Sequence, residues 1–321
     1  MKTAITSLLS ILLSVNFCLA QNVIRVEEEL SLIWKNDTLY GTLLSEGKDG
    51  KKINKLPVML IIPGSGPTDR DGNSQLLPGT NDSFKLLADS LLKQGIATFR
   101  YDKMGVGKSQ FSGTESDLRF EDNVDIASSA INTLKNLGFK KIYIAGHSQG
   151  SLVGMLTAQQ NKVKGFISLE GSAINSYELL KEQLEKNLPE AMQKSTLQKL
   201  DSIKNGYPVT KYNPALASLL RESLQPYLRG YFSYTPTEEI AKLKTPILII
   251  QGGQDLQTTT KEGEMLKEAA PNAEHLYFEN MNHVLKMVDE SEEQNRAAYT
   301  DPDFPLPKEL AMKIANWIKS N

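Results

Sequence analysis

The chain has little of the chemistry that cysteine, histidine and clustered charge provide. It contains one cysteine, Cys18, and three histidines among 321 residues. A single cysteine excludes an internal disulfide and a metal site built from several cysteines, so stability must come from the hydrophobic core. The formal net charge is −2, which gives no indication of a general affinity for nucleic acid.

The first twenty residues differ from the rest of the chain. Lys2 is their only charge, an apolar run extends from Leu8 to Val15, and the segment ends Phe17-Cys18-Leu19-Ala20. This pattern is typical of a secretory signal peptide cleaved after Ala20, and the run is short for a membrane span. We therefore expect an exported protein, periplasmic or secreted, without a stable membrane span or a cysteine after cleavage. An uncleaved anchor and a lipid-attachment cysteine are the alternatives.

Apolar runs and helical stripes alternate along most of the sequence. Residues 58–62 are apolar throughout, which is typical of a strand buried on both faces. The partial alternation at 26–34 and 38–44 predicts an antiparallel hairpin before it. Further strands are predicted at 96–101, 141–145, 163–169, 246–250 and 275–278, with helices between most of them. This order predicts an α/β fold with a mostly parallel central sheet and helices on both faces.

The alternation is interrupted between residues 172 and 244, which carry helical patterns but no apolar strand run. We interpret this segment as a helical cap inserted into the sheet domain. The predicted organisation is a signal peptide at 1–20, two parts of the core at 21–171 and 245–321, and the cap at 172–244. Aromatic residues in the cap are candidates for lining an acyl pocket or, equally, for forming the core of the cap: Tyr227, Tyr231 and Phe232.

One short motif carries the strongest indication of function. Gly146-His147-Ser148-Gln149-Gly150 matches the pattern G-x-S-x-G and stands between a predicted strand and a predicted helix. In that context the serine hydroxyl points out of a tight turn, and the flanking glycines avoid clashes with crowded backbone atoms. The N-terminus of the following helix directs amide N–H groups at negative charge near the serine. We therefore predict that Ser148 is a catalytic nucleophile.

A serine hydroxyl needs a base that removes its proton. His147 is adjacent to the serine and cannot easily reach back to Oγ, and His275 lies inside a predicted strand. His283 follows the last predicted strand, at the carboxyl edge of the sheet, and is the predicted base. The orienting acid should lie between nucleophile and base in the chain. Asp255, on the loop one strand before the histidine, is the predicted acid, and Glu170 is the alternative.

Acyl transfer also requires N–H donors for the carbonyl oxygen that becomes negatively charged. The amide of Gln149, next to the nucleophile, is one predicted donor. The second should come from the loop Pro63-Gly64-Ser65-Gly66-Pro67, whose glycines allow a close approach of the backbone. We predict the amide of Ser65 as this donor, with Gly66 as the alternative.

Four stretches resemble the serine aminopeptidase and monoacylglycerol-lipase-like group of α/β-hydrolases: PGSGPTDRDGN at 63–73, RYDK at 100–103, GHSQG at 146–150 and Asn282-His283. The first is similar to that of bacterial carboxylesterases, whereas Met104 stands where members often carry arginine. The resemblance covers roughly residues 55–171 and 245–320. It implies an α/β-hydrolase fold, the triad of Ser148, Asp255 and His283, oxyanion donors at Ser65 and Gln149, and no cofactor. No metal site is predicted.

We therefore expect a serine hydrolase that cleaves carboxylic esters of small or medium acyl chain through an acyl-enzyme. A peptidase or aminopeptidase acting on short peptides with the same triad is one alternative. It would need a carboxylate in the cap to bind an α-amino group, and Glu178, Glu182 and Glu185 are available. A non-catalytic binding protein on a hydrolase scaffold is the other alternative.

Overall fold

The computed structural model describes residues 24–48, 51–52 and 54–321. The signal peptide predicted at residues 1–20 lies outside the described residues, so export remains an expectation from the sequence.

A single twisted sheet runs through the described part of the chain. Its nine strands are β1 (Ile24–Trp34), β2 (Asp37–Lys48), β3 (Lys51–Lys52), β4 (Val58–Ile62), β5 (Ala97–Tyr101), β6 (Ile142–His147), β7 (Gly165–Leu169), β8 (Ile247–Gly252) and β9 (Glu274–Phe278). The spatial order is β1-β2-β5-β4-β6-β7-β8-β9, and the two-residue β3 pairs with β2. All pairs from β5 to β9 are parallel, while β1, β2 and β3 pair antiparallel and β2 joins β5 antiparallel.

The helices connect these strands or follow them. They are α1 (Ser83–Leu92), α2 (Asp122–Asn136), α3 (Gln149–Gln160), α4 (Ser176–Asn187), α5 (Glu190–Lys204), α6 (Ala217–Leu220), α7 (Gln225–Phe232), α8 (Pro236–Ala241), α9 (Thr260–Ala269), α10 (Glu292–Ala297) and α11 (Leu310–Ser320). The parallel sheet with helical crossovers confirms the predicted α/β architecture. The short helix α10 was not predicted, although Ser291 caps its first turn by accepting a hydrogen bond from the Gln294 amide.

The central strands explain why the predicted runs are apolar at every position. Every residue of β4 is buried, because helices cover both faces of the sheet. Successive side chains point to opposite faces: Leu60 belongs to the core cluster on one face, and Met59 and Ile61 belong to the cluster on the other. Residues of α2 and α3 complete the first cluster, and residues of α1 and α11 complete the second.

The segment between β7 and β8 forms five helices, α4 to α8, and no strand among its described residues. It has a hydrophobic cluster of its own, which includes Leu200, Leu220 and Phe232. This confirms the helical cap of the predicted fold, while its exact limits at residues 172 and 244 stay a prediction. Over the described ranges, no helix combines the length and apolarity that crossing a bilayer requires.

Candidate active site

Ser148 occupies the sharp turn between β6 and α3. Its backbone has φ 54° and ψ −123°, a region that a non-glycine residue adopts only under strain. A Cβ atom at Gly146 would collide with the Gly150 carbonyl oxygen, and one at Gly150 would collide with the Ile62 carbonyl oxygen. Both glycines are therefore required for this turn to form against β4. The strained conformation and the crowding are those of a nucleophile elbow.

His283 and Asp255 form a hydrogen-bonded pair at the carboxyl edge of the sheet. His283 Nδ1 donates to Asp255 Oδ2 at 2.7 Å, and both side chains are almost completely buried. Asp255 also accepts hydrogen bonds from the Gln257 amide at 2.7 Å and from the Thr258 amide at 3.0 Å. Burial opposes ionisation of Asp255, but the hydrogen bond and the charge of His283 outweigh it and lower the pKa to about 2. The acid is therefore a carboxylate that holds the imidazole with the proton on Nδ1 and leaves Nε2 free to accept a proton.

Ser148 and His283 line the same cavity, which has a volume of about 180 Å³. No hydrogen bond joins Ser148 Oγ to His283 in the described structure. Contacts between nucleophile and base are often long in free enzymes and tighten when substrate binds. The structure thus brings all three predicted triad residues to one place, with the base already held by its acid.

His147 supports the predicted base without being a base itself. Its Nε2 donates to the carbonyl oxygen of His283 at 2.6 Å, and the two rings lie 4.9 Å apart. Burial, together with the neighbouring His283 ring, lowers the pKa of His147 to about 3. A neutral His147 therefore fixes the backbone that carries the catalytic imidazole. The sequence placed His147 beside the nucleophile but gave no sign of this contact with a residue 136 positions away.

Glu170, the alternative acid, lies behind Asp255 rather than beside the imidazole. It is fully buried at the end of β7, and its Oε2 accepts from Gln251 Nε2 at 2.7 Å and from the Gly252 amide at 3.0 Å. Its Oε1 has no N–H donor and faces the Asp255 carboxylate. Burial, followed by the charge of Asp255, raises the pKa of Glu170 well above its usual range. Both effects favour the protonated form of Glu170, whose O–H can donate toward the Asp255 carboxylate.

The loop after β4 brings the predicted oxyanion donors close to the nucleophile. A Cβ atom built on Gly64 would lie 3.1 Å from Ser148 Cβ, so the loop touches the elbow. Ser65 lines the cavity, whereas Gly66 does not. The Ser65 amide makes no hydrogen bond within the described chain, and Gln149 is the first residue of α3, where amides have no intrahelical acceptor. Both predicted N–H donors are thus available to a ligand.

Ion pairs anchor the continuation of this loop to the sheet. Arg70 contacts both oxygens of Asp102, with Nε at 3.0 Å from Oδ1 and Nη2 at 2.6 Å from Oδ2. Arg100, buried on β5, contacts Asp71 at 2.5 Å. The conspicuous stretch PGSGPTDRDGN thus combines a close approach to the elbow with a charged anchor on the neighbouring strand. From the sequence, the glycines at 63–67 already predicted an oxyanion loop, and the resemblance to carboxylesterases covered the whole stretch.

The three aromatic candidates of the cap lie in different places. Tyr227 donates its hydroxyl hydrogen to Gln149 Oε1 at 2.9 Å, directly above the elbow. Tyr231 stacks on Phe120 with ring centroids 4.9 Å apart. Phe232 packs in the cap's own cluster. None of the three lines the cavity that contains Ser148; among described residues its lining comes from the core, including Ser65, Leu77, Phe84, Val284 and Tyr299.

The comparison with protein families agrees with this geometry. A family model described as the alpha/beta hydrolase fold matches residues 57–290, which is most of the chain. The chain belongs to the α/β-hydrolase family. This confirms the resemblance seen in the sequence, and members of this family carry their chemistry on the strand–turn–helix and loops described above. Within the described residues, no cluster of three histidine, cysteine, aspartate or glutamate side chains is suited to hold a metal ion.

Several relatives within the family can be compared directly. Esterase EstD of Thermotoga maritima is 28% identical over 244 residues, covering 71% of this chain and 54% of EstD, so the chain spans about half the length of that relative. Est1E of Butyrivibrio proteoclasticus, solved with ferulic acid bound, superposes with a TM-score of 0.58 at 18% identity over 91% of this chain and 100% of Est1E. Proline iminopeptidase of Mycobacterium smegmatis has a TM-score of 0.55 at 13% identity, over 91% and 98% of the two chains. The structural likenesses concern the fold.

Proposed function

We propose that the protein is an exported serine esterase that cleaves carboxylic esters of short acyl chain through an acyl-enzyme. Ser148 Oγ attacks the ester carbonyl while His283 Nε2 accepts its proton. The amides of Ser65 and Gln149 hold the oxygen that becomes negative. His283 then gives the proton to the departing alcohol, leaving the acyl group on Ser148. Water, deprotonated by His283, attacks this ester and releases the acid, which restores the serine hydroxyl.

The observation that carries the proposal is the convergence of three strained or buried features on one cavity. A serine in an elbow conformation and a histidine held by a buried carboxylate line the same cavity. A loop with an unpaired amide also lines it. Strain of this kind costs about 1–3 kcal/mol and persists only where the surrounding structure imposes it. A protein that merely bound a ligand at this place would need neither the strained serine nor the His283–Asp255 pair.

The size of the cavity supports short acyl chains. Its volume of about 180 Å³ is below the roughly 300 Å³ at which sites for drug-sized ligands begin. Leu77, Phe84 and Val284 supply apolar surface for an acyl group, while the hydroxyl-bearing residues Ser83 and Thr68 also border it. We therefore expect acetyl and propionyl esters to be better substrates than octanoyl esters.

The relatives and the cap favour esters over peptides. EstD is named as an esterase, whereas the iminopeptidase is similar in fold at 13% identity. The cap glutamates that an aminopeptidase would use, Glu178, Glu182 and Glu185, are all exposed, and none lines the cavity. Glu178 pairs instead with Lys204 at 3.7 Å. Among the described residues, no carboxylate of the cap lines the cavity, where it could bind an α-amino group.

A substrate panel tests the proposal. Purified protein is assayed with p-nitrophenyl acetate, butyrate and octanoate and with aminoacyl-p-nitroanilides, in wild type and in Ser148→Ala. We expect hydrolysis of the acetate and butyrate by wild type, little hydrolysis of the octanoate or anilides, and none by S148A, whose fold circular dichroism verifies. Anilide cleavage exceeding ester cleavage would support the peptidase, and ester cleavage that survives in S148A would reject the mechanism. Export is tested separately, by N-terminal sequencing of the protein recovered outside the cytoplasm, where residue 21 should come first.

A further inference from the structure

Lys103 lies directly behind the loop that carries the candidate oxyanion donor. Its Nζ donates to the carbonyl oxygen of Gly64 at 2.9 Å, and its backbone amide donates to the Thr68 carbonyl oxygen at 3.3 Å. Over the described residues, no carboxylate forms an ion pair with this ammonium group, unlike the neighbouring Lys108, which contacts Glu29 at 2.9 Å. Burial without a carboxylate lowers the pKa of Lys103 to about 8. Burial therefore disfavours the charged form of Lys103, and a backbone carbonyl oxygen is the acceptor of its hydrogen bond. This arrangement indicates that Lys103 has a structural role in the loop.

The carbonyl that Lys103 binds belongs to the same peptide group as the Ser65 amide. The structure contains no cis peptide among its described residues, and in a trans peptide the C=O and N–H bonds point in opposite directions. A hydrogen bond that fixes the Gly64 carbonyl on the Lys103 side therefore directs the Ser65 N–H away from Lys103. Ser65 lines the cavity together with Ser148 and His283, and its amide has no acceptor within the described protein.

The glycine at position 64 explains why this hydrogen bond is needed. The rotation of the Gly64–Ser65 peptide depends on ψ of Gly64, and a glycine has little steric resistance to such a rotation. A side chain at Gly64 would restrict the peptide, but its Cβ would press against Ser148 Cβ at 3.1 Å and His147 Nδ1 at 3.3 Å. The loop must therefore be glycine to approach the elbow, and something other than its own side chain must hold the peptide.

We propose that Lys103 is a positioning residue of the oxyanion hole, which holds the Gly64 carbonyl so that the Ser65 N–H points at the substrate oxygen. This inference rests on the proposed function. The ammonium also polarises the peptide group it binds, which makes the Ser65 N–H a stronger donor when negative charge develops on the substrate. Because this charge is greatest in the transition state, the contribution falls on kcat rather than on KM.

The size of the effect follows from what an oxyanion donor provides. Removing such a donor outright costs about 10²–10³ in kcat. Loss of Lys103 leaves the Ser65 amide present but no longer held, so we expect Lys103→Met to lower kcat by about tenfold to a hundredfold, with KM changed by less than about threefold. The change in KM stays small because the ground-state ester carbonyl is a weak acceptor.

The test compares Lys103→Met with Lys108→Met on p-nitrophenyl acetate. Lys108 is a matched control because it lies on the same loop but is exposed and paired with Glu29 on the surface. A separate sample of each variant is titrated with a fluorophosphonate, and the number of labelled sites is used to calculate kcat for the unlabelled protein. Phenylboronic acid, which adds to the serine as a tetrahedral anion, is then used as inhibitor. We expect K103M to lose affinity for the boronate by about the factor that it loses in kcat, and K108M to keep both.

Two results would overturn the proposal. One is a K103M protein whose kcat per labelled site stays within twofold of wild type. The other is a loss of kcat with unchanged affinity for the boronate. If K103M does not fold, Lys103→Gln carries the same test, because its smaller polar side chain is also neutral and cannot reach as far. Failure of the proposed function itself is recognised separately, since wild type would then neither cleave the ester nor take up the label.

Discussion

Replacing His147 by glutamine should make the free energy of unfolding less dependent on pH in the acid range. His147 is buried with its Nε2 donating to the His283 carbonyl, and its pKa falls from 6.5 to about 3. The unfolded chain therefore takes up a proton at His147 as the pH falls below 6.5, while the folded chain does not. Because the unfolded state binds more protons, the free energy of unfolding decreases as the pH falls between about 6.5 and 3.

The magnitude follows from the same values. Each pH unit within this window costs about 1.4 kcal/mol, so the interval from pH 6.5 to pH 5 removes about 2 kcal/mol of stability through His147 alone. Other groups also titrate over this range, notably Glu170, whose raised pKa acts with the opposite sign. Their contributions cancel when wild type and His147→Gln are compared at each pH. Glutamine carries no titrating proton, and its amide can still donate to the His283 carbonyl.

Urea unfolding followed by tryptophan fluorescence at pH 7 and pH 5 provides the measurement. We expect the free energy of unfolding of wild type to fall by about 2 kcal/mol more than that of H147Q over this interval. The chain has two tryptophans, Trp34 and Trp317, whose exposed fractions are 6% and 5%. Because both are nearly buried in the folded protein, unfolding changes their environment. Parallel curves for the two proteins would refute the assignment of His147 as a neutral buried group.

Three further outcomes are expected. Asp255→Asn should lower kcat on p-nitrophenyl acetate by about 10³–10⁴, because an amide facing Nδ1 stabilises the wrong imidazole tautomer; retention of more than a tenth of the activity would contradict the assignment. Glu170→Gln should keep kcat within a few-fold of wild type, because the glutamine N–H replaces the acid proton toward Asp255. Glu170→Ala should lower kcat by about tenfold or more, because it leaves a cavity and an unpaired Asp255 oxygen. Equal kcat values for the two variants would contradict a donor role of Glu170. Gly150→Ala should lower the melting temperature measured by circular dichroism and leave no esterase activity, since the added Cβ meets the Ile62 carbonyl oxygen, and a fully active variant would show that the elbow is not strained as described.

Much of the fold could be predicted because its signals are local. The apolar run at Val58–Ile62 has the composition of a strand covered on both faces, and the structure buries all five residues. The turn between β1 and β2 was marked by polar residues at 35–37, and Lys35 adopts φ 51° there, in the left-handed region that such turns require. The helix α10 was missed because six residues in a polar segment carry no apolar stripe.

In the candidate active site, too, local features could be predicted from the sequence and long-range contacts could not. Ser148 could be predicted because the turn itself demands glycines on both sides, and the order of nucleophile, acid and base in the chain directed attention to Asp255 and His283. The contacts that hold these residues join distant parts of the chain. Lys103 to Gly64 and His147 to His283 follow from strand order and loop packing, which no local pattern records.

The cavity gives a further example. From the sequence, the aromatic residues of the cap were candidates for lining the acyl pocket or, equally, for forming the core of the cap. In the structure Leu77, on the loop that follows β4, and Phe84, in the first turn of α1, line the cavity with Ser148. Tyr227 of the cap does not line it and donates to the Gln149 side chain instead. Whether the cap or the loop after β4 reaches the nucleophile depends on how these two segments pack in three dimensions. The ion pair of Arg70 with Asp102 is part of that packing.

Covalent labelling with a fluorophosphonate, followed by peptide mass spectrometry, tests the central claim most directly. We expect one phosphonyl group per molecule, attached to the peptide that contains Ser148, with esterase activity lost in proportion to labelling and no uptake by S148A. Labelling of a different residue, or full esterase activity in a completely labelled protein, would contradict the assignment of Ser148 as the nucleophile.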